Sequence, residues 1–209
     1  MITRLNREVL LDILLRFLSC ASVGFFAVNA LIAFSIDKTR ITLAIAVISE
    51  ITTIVISLAS RRPAGRDWQP LTVMATILAG SLWQPFVRFE PGFHLLNETA
   101  SAAVQCLGVL WAINAKVTLG RSFGWLPANR GIVNNGVYRF VRHPIYLGFL
   151  IAHIGFLCAN LSLWNATVYV FFYVAQLYRI FREEKFLMRD EAYRAYASRV
   201  RYRLIYGVF

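Results

Sequence analysis

Charged residues are scarce in this sequence, and acidic residues are the scarcest. Of 209 residues, 16% are charged and 58% are hydrophobic, and there are 11 Asp or Glu against 22 Lys or Arg. A soluble domain usually has about 25% charged residues. The shortage therefore excludes an ordinary soluble domain and predicts an integral membrane protein.

Cysteine and glycine are present, but not in the patterns that mark several common kinds of site. The three cysteines, Cys20, Cys106 and Cys158, are odd in number and lie inside apolar stretches. Neither a disulfide framework nor a metal site is predicted from them. None of the 12 glycines forms the Gly-x-Gly-x-x-Gly motif of a dinucleotide-binding fold. Any nucleoside cofactor must therefore be bound by helix ends and loops.

Six apolar stretches follow one another along the chain, at residues 10–34, 41–60, 70–87, 98–117, 144–159 and 163–181. Stretches of this composition are typical of membrane-spanning helices. We predict an all-α, polytopic transmembrane bundle of six spans, or five if one early stretch does not cross. The chain is expected to be a single membrane domain over residues 1–209. Its N-terminal spans lie in 10–117, and a loop, a helical hairpin and a C-terminal helix lie in 118–209.

The basic residues lie mostly between the apolar stretches and on one side of the predicted bundle. A net charge of +11 can indicate nucleic-acid binding, but here the charges are not gathered on one soluble face, so no nucleic-acid partner is predicted. With six spans and the N-terminus inside, 18 of the 22 Lys and Arg fall on the inner side. The positive-inside rule then places both termini and the loop before residue 144 in the cytoplasm. We expect a multi-pass protein of a prokaryotic inner membrane.

The most informative stretch is the polar loop at residues 131–143, which turns abruptly into an apolar helix. Gly131 and Gly136 allow the backbone to bend and to approach a ligand closely. Pro144 suits the first turn of a helix, which places His143 near the N-cap. A helix start favours anions, and Arg139 and Arg142 add positive charge beside it. This pattern predicts a small ligand with a carboxylate, although an ordinary basic cytoplasmic loop has similar composition.

The loop and a later acidic pair together resemble a known family of membrane enzymes. The family patterns are a Gly-x-Tyr, an Arg-His-Pro-x-Tyr and a later Glu-Glu, and this chain has them in that order. Over residues 107–205 the chain resembles the isoprenylcysteine carboxyl methyltransferase and phospholipid methyltransferase superfamily. The resemblance implies that S-adenosylmethionine is bound by residues of all three motifs: Gly136, Tyr138, Arg142, His143, Pro144, Tyr146, Glu183 and Glu184.

The chemistry of this cofactor suits the residues in the motifs. Its carboxylate needs donors, which Arg142 and His143 supply, and its ammonium and hydroxyl groups need acceptors, which Glu183 and Glu184 supply. Adjacent helical residues point about 100° apart, so only one glutamate is expected to face inward. The sequence does not determine whether Glu183 or Glu184 faces inward. Alternatively, the glutamates are solvated and pair with a nearby arginine such as Arg179.

Four further features have more than one interpretation. Gly148, Ala152 and Gly155 form a stripe of small residues, which favours close helix packing over cofactor access. His153 is expected to bond a neighbouring helix, and Glu50 is either paired or functional. Residues 182–203 form a basic amphipathic pattern, which predicts a helix that lies on the headgroups or folds over the loop.

The resemblance implies a methyltransferase that acts on a lipidic acceptor at the membrane–cytoplasm interface, without a metal. An isoprenylcysteine-type carboxylate is the expected acceptor, and it needs no general base because it is already a nucleophile. A phospholipid amine would need a base. An NADPH-dependent lipid or sterol reductase and a non-enzymatic membrane subunit are also compatible with the sequence. No catalytic residue is predicted.

Overall fold

A computed structural model describes residues 2–58, 69–90, 92–120 and 132–209 of the chain. In these residues the fold consists of α-helices and short helical turns, with a single isolated bridge between Phe93 and Leu161. The helices are α1 (Ile2–Ile36), α2 (Ile41–Leu58), α3 (Pro70–Ile77), α4 (Glu98–Leu119), α5 (Pro144–Ala159), α6 (Leu163–Leu187) and α7 (Glu191–Arg199). The all-α prediction is confirmed.

Two of the described helices are long and apolar enough to cross a membrane. They are the Phe17–Ile36 part of α1 and the whole of α4, and shorter apolar helices occur at Ile41–Ile56, Pro70–Gly80 and Pro144–Ala159. Apolar side chains cover much of the outer surface of these helices, as lipid contact requires. This supports a membrane protein. The number of spans, five or six, stays a prediction.

The third apolar stretch is irregular. Helix α3 passes into a π-helical turn at Leu78–Leu82 and a 3₁₀ turn at Gln84–Phe86. Pro85 lies in this last turn, and the backbone becomes extended at Val87. Proline lacks the N–H that would continue a helix, and the helical backbone of this stretch ends at Phe86, one residue after Pro85.

Helices α4 and α5 approach each other unusually closely. A Cβ atom on Gly148 would lie 2.6 Å from the backbone nitrogen of Ala112, and one on Gly155 would collide with the backbone of Gln105. Side chains larger than hydrogen would force the helices apart. The stripe of small residues therefore serves helix packing, as its preferred interpretation stated, and this packing places the start of α5 beside the end of α4.

Residues 160–162 join α5 to α6 in the tight hairpin that the sequence predicts. Ser162 caps α6 by accepting a hydrogen bond from the Asn165 backbone. Asn160 is buried and accepts a 2.6 Å hydrogen bond from Arg40, and it donates to Thr42. This polar cluster ties the hairpin to the α1–α2 connection at the end of the bundle opposite His143.

Helix α7 folds back over the end of the bundle at which α5 begins. Asp190 caps it by accepting hydrogen bonds from the backbone N–H groups of Ala192 and Tyr193. Its apolar face, which includes Tyr193 and Tyr196, packs against Ile132, Leu187 and Met188. The sequence predicts that the helix in residues 182–203 either lies on the headgroups or folds over the loop. In the structure, α7 folds over the loop.

Candidate active site

The start of α5 and the end of α6 meet through their polar side chains. His143 is the N-cap residue of α5, which begins at Pro144 as predicted. Its Nε2 atom lies 3.0 Å from Oε1 of Glu184, and the Tyr146 hydroxyl donates a 3.0 Å hydrogen bond to Oε2 of Glu183. The two distant motifs thus form one cluster.

Glu184 is the centre of a buried polar network. Its side chain is only 6% exposed, and Oε1 also accepts a 2.8 Å hydrogen bond from the Tyr193 hydroxyl. Oε2 lies 3.2 Å from Nη1 of Arg142 and 3.5 Å from Nε of Arg203. These residues come from the loop, α6, α7 and the C-terminal tail, so Glu184 joins four segments of the chain.

Charges and hydrogen bonds keep the Glu184 carboxylate ionised. Burial acts to raise its pKa, but the hydrogen bond and charge of His143, then the Tyr193 hydroxyl and the Arg142 guanidinium, act in the opposite direction. The net result is a pKa below the ordinary value for glutamate. Burial and the nearby carboxylate of Glu184 raise the pKa of Tyr193, which stays a neutral donor.

Several buried polar atoms of this network retain hydrogen-bonding capacity. The contacts of Glu184 Oε2 with Arg142 and Arg203 are ion pairs by distance but lack hydrogen-bond geometry. Consequently, Nε of Arg142, Nε of Arg203 and Oε2 of Glu184 have no hydrogen-bond partner among the described residues. Buried polar groups usually find partners. Two unused donors beside a helix start fit a ligand with a carboxylate.

Glu183 is placed differently from its neighbour. It is partly exposed, and Tyr146 is the side chain that donates to it. Arg179 lies one helical turn before it, is buried, and stacks 5.7 Å from the Tyr146 ring. Arg179 donates a 3.0 Å hydrogen bond to Gln176. The alternative in which a glutamate pairs with Arg179 stays a prediction.

The Gly-x-Tyr motif forms a 3₁₀ turn at Gly136–Arg139. Gly136 has a φ of 54°, and a Cβ atom there would lie 3.0 Å from the Thr118 side chain. Both features favour glycine. Tyr138 is buried against Ala115 and Ile145, and its carbonyl accepts a 2.7 Å hydrogen bond from the Tyr196 hydroxyl. Tyr138 thus connects the turn to α4, α5 and α7.

Helix α7 and the C-terminal tail after it contribute site residues that the sequence patterns did not predict. The backbone N–H groups of Arg142 and His143 donate to the carbonyls of Tyr202 and Arg203, at 2.9 and 2.8 Å. Tyr193 and Arg203 also contact Glu184 directly. The helical spacing of aromatic residues in the tail indicated a buried face, but it did not indicate what that face would cover.

All eight predicted cofactor-binding residues lie in or next to this cluster. Gly131 lies outside the described residues.

His153 and Glu50 lie deeper in the bundle. His153 bonds the Tyr173 hydroxyl of α6 at 2.8 Å, as expected of a histidine that links helices. Glu50 lines an internal cavity, and Lys116, whose Nζ is held by Thr53 at 2.7 Å, is the charged group that interacts with it.

That cavity lies inside the helical bundle and extends to the cluster. It has a volume of about 850 Å³ including its open end, and its wall comes from α1, α2, α4, α5, α6 and the irregular third stretch. Tyr146 and Arg179 form the part of the wall nearest the cluster. A ligand that extends from the cluster therefore has a path into the bundle.

Comparison with known proteins identifies the segment that contains these residues. Residues 100–189 match the isoprenylcysteine carboxyl methyltransferase (ICMT) family. This segment holds the Gly-x-Tyr, Arg-His-Pro-x-Tyr and Glu-Glu motifs together with α4, α5 and α6. The family resemblance inferred from the motifs is confirmed.

Curated relatives carry the corresponding enzyme name. Protein-S-isoprenylcysteine O-methyltransferase A of Arabidopsis thaliana is 43% identical over 81 residues, covering 35% of this chain and 40% of the relative. The B enzyme of the same plant is 36% identical over 124 residues, covering 54% and 62%. The Schizosaccharomyces pombe enzyme is 35% identical over 63 residues, covering 28% and 27%. The chain thus spans less than two thirds of each relative.

Proposed function

We propose that this protein is an S-adenosylmethionine-dependent methyltransferase that esterifies an isoprenylcysteine-type carboxylate at the cytoplasmic face of a membrane. The observation that carries the proposal is the meeting of the Arg-His-Pro-x-Tyr motif with Glu183 and Glu184, within the segment that matches the ICMT family. The relatives' names supply the reaction and the class of acceptor.

The proposed cofactor site consists of the cluster at the start of α5. When bound, S-adenosylmethionine supplies a methyl group on a positively charged sulfur. Nε of Arg142 and Nε of Arg203 are buried donors with unused capacity, and they suit the cofactor carboxylate. Glu183 suits an ammonium or hydroxyl group, since Glu184 is already engaged by Arg142, His143 and Tyr193.

Arg179 is the residue we propose for holding the acceptor carboxylate. It lies on the cavity wall beside Tyr146, between the cluster and the interior of the bundle. A guanidinium orients a carboxylate by paired hydrogen bonds. A carboxylate is nucleophilic without deprotonation, so the protein's contribution is to position it and to exclude water.

Methyl transfer from labelled S-adenosylmethionine tests the proposal directly. The protein, purified in detergent, is incubated with an S-farnesylcysteine derivative that has a free carboxylate. We expect label that base releases as volatile methanol, which identifies a methyl ester. Label that resists base and is found in phospholipid would instead indicate N-methylation of an amine.

Calorimetry with S-adenosylhomocysteine and, separately, NADPH tests the cofactor. We expect heat with the first ligand alone, and His143→Ala should weaken that binding. Heat with NADPH alone would indicate a reductase, and heat with neither would indicate a non-enzymatic subunit.

Turnover assays test the role of Arg179. Arg179→Gln should raise the KM for the acceptor, and Arg179→Lys should restore it in part. Arg182→Gln, on the same helix, should leave the KM unchanged.

A further inference from the structure

One face of α6 lines the cavity inside the bundle, and its character changes from polar to aromatic along the helix. The lining residues are three or four positions apart, so they share one side of the helix: Tyr169, Phe172, Gln176 and Arg179. Arg179 lies beside the Tyr146 ring at the cluster, Gln176 is one turn deeper, and the two aromatic residues follow. This order matches a ligand with a polar head and an apolar tail.

The side-chain amide of Gln176 has a defined orientation. Nη1 of Arg179 donates a 3.0 Å hydrogen bond to its Oε1. A guanidinium has donors only, so the amide oxygen has to face Arg179 and the N–H bonds point away from it. Gln176 is 4% exposed, and its Nε2 has no hydrogen-bond partner among the described residues. The neighbouring Tyr146 hydroxyl gives its proton to Glu183 and completes no hydrogen bond with this amide.

A second glutamine on the cavity wall, Gln105, has an unpaired group of the opposite kind. Its Oε1 accepts no hydrogen bond from any residue that the structure describes, and its backbone packs against Gly155. Gly155 lies nine residues along α5 from Tyr146, so Gln105 is roughly 13 Å deeper than Tyr146. A carbonyl oxygen repels a carboxylate, and at this depth it lies beside the tail of a ligand whose head is at Arg179. Of the two amides, only that of Gln176 suits an anionic head group.

A carboxylate held by Arg179 alone would keep unused hydrogen-bonding capacity. Its two oxygens offer about four lone-pair sites, of which a guanidinium fork occupies about two. Methylation takes place on one oxygen, so the other oxygen is free to accept from a second donor throughout the reaction. A neutral amide suits this position better than a second cation, because it holds the carboxylate without withdrawing as much charge from the attacking oxygen.

We propose that Gln176 binds the acceptor carboxylate together with Arg179: its Oε1 orients the guanidinium, and its Nε2 donates to the carboxylate oxygen that is not methylated. This inference rests on the proposed function, because the cavity is taken to hold an isoprenylcysteine-type acceptor with its head at Arg179. It adds a residue that recognises the head group and leaves the plain isoprenyl tail to the aromatic wall.

Binding of two matched probes without S-adenosylmethionine tests the proposal. One probe is N-acetyl-S-farnesylcysteine, and the other is the same thioether with hydrogen in place of the carboxyl group. Calorimetry with the full chain in nanodiscs gives the ratio of their affinities, which we call the carboxylate preference. A residue that only supports the fold changes both affinities alike, so this ratio reports on contacts with the carboxylate.

We expect the wild type to prefer the carboxylate probe, and Gln176→Met to lower that preference about five- to tenfold. The carboxyl-free probe should still bind this variant, which shows that it is folded. Gln176→Glu keeps an acceptor for Arg179 but has a negative charge in place of the donor, and it should lower the preference at least as much. Gln105→Met is the matched control, since it makes the same substitution deeper in the same cavity, and the preference should stay at the wild-type value.

An Arg179→Met background separates direct contact from an effect that passes through Arg179. If Gln176 donates to the carboxylate, adding Gln176→Met in this background should lower the preference further, by about threefold or more. An unchanged preference would show that Gln176 only orients the guanidinium, and it would overturn the proposed hydrogen bond.

Equal carboxylate preferences of the wild type and Gln176→Met would also overturn the proposal. The proposed reaction would be unaffected by that result, because methyl transfer to the carboxylate probe is measured in a separate assay. Conversely, if the preference follows Gln176 but the carboxylate probe is not methylated, the proposed reaction fails while the binding role of Gln176 stands.

Discussion

At the residue scale, the adjacent residues Glu183 and Glu184 differ in burial and in their contacts. Glu184 is buried and bonded to the loop, α7 and the tail, whereas Glu183 is partly exposed and accepts from Tyr146. One carboxylate thus holds the site together, and the other has capacity to bind a ligand. This division makes the two positions a matched pair for mutation.

Glu184→Gln should lower the stability of the protein markedly. Loss of the charge leaves Arg142 and His143 buried beside a neutral amide, which costs about 2–4 kcal/mol of unfolding free energy. The apparent Tm in detergent should fall, and affinity for S-adenosylhomocysteine should weaken with it. A Tm equal to that of the wild type would show that the network contributes nothing to the fold.

Glu183→Gln should affect binding without comparable destabilisation. The amide still accepts from Tyr146, so the Tm should change little, while affinity for S-adenosylhomocysteine should fall about tenfold through loss of a charged hydrogen bond. Calorimetry and thermal unfolding on one preparation measure both quantities. An unchanged affinity would remove Glu183 from the proposed cofactor site.

The ionisation of Glu184 predicts how stability depends on pH. Its pKa in the folded protein lies below the ordinary value, because His143, Tyr193 and Arg142 outweigh the effect of burial. The contribution is therefore complete above the unfolded pKa, about 4.3, and it is lost as pH falls below that value through the folded pKa. Thermal unfolding across this range should show a drop in Tm that is smaller in Glu184→Gln.

Close packing of α4 against α5 is the decisive contact at the scale of elements. The Gly-x-Tyr turn packs against the end of α4 at Thr118, and the Arg-His-Pro-x-Tyr motif begins α5, so the separation of the two helices determines where these motifs meet. Gly148 on α5 allows the approach because the backbone of Ala112 occupies the space of a side chain.

Gly148→Val should force the helices apart. A Cβ atom would meet the Ala112 backbone at 2.6 Å, and backbone cannot move aside as a side chain can. We expect a loss of at least about 1–3 kcal/mol and loss of S-adenosylhomocysteine binding. Gly24→Val is the control, because a Cβ atom on Gly24 meets nothing within 4 Å. Similar Tm losses in the two variants would contradict this account.

Helix α7 closes the site through few polar contacts, of which the Tyr196 hydroxyl makes one. Tyr196→Phe removes its 2.7 Å hydrogen bond to the Tyr138 carbonyl but keeps the aromatic packing. We expect α7 to open more often, by a free energy of about 1 kcal/mol, and amide hydrogen exchange in residues 191–199 to accelerate. Tyr206→Phe, at a residue that is 71% exposed, should leave the exchange unchanged.

The predicted arrangement across the membrane is a property of the whole molecule. Six crossings with the N-terminus in the cytoplasm place Lys38 and His94 outside and Arg194 inside. Cysteines introduced at these exposed positions, in a background without Cys20, Cys106 and Cys158, can be labelled by a membrane-impermeant maleimide. We expect Lys38→Cys and His94→Cys to react from outside and Arg194→Cys only in inverted vesicles. Reaction of both Lys38→Cys and Arg194→Cys from outside would exclude six spans, because an even number of crossings would then separate the two positions.

The class of protein, the helices and the site motifs are determined by the sequence alone. Long apolar stretches predict helices, and Pro144, Ser162 and Pro85 set helix ends, because these effects depend on neighbouring residues only. For the same reason the start of α5 and the α5–α6 hairpin are where the sequence predicts them. The likeness of the loop motifs and the Glu-Glu pair to the ICMT family also depends on the sequence alone.

Only the tertiary structure decides which glutamate is buried, what α7 covers and which tail residues join the site. Tyr193 and Arg203 reach Glu184, and Gln105 faces the cavity, because segments far apart in the chain pack at particular angles and depths. The direction of a side chain across such a contact depends on the packing of both partners. No local pattern contains that information, so it appears only when the helices are assembled.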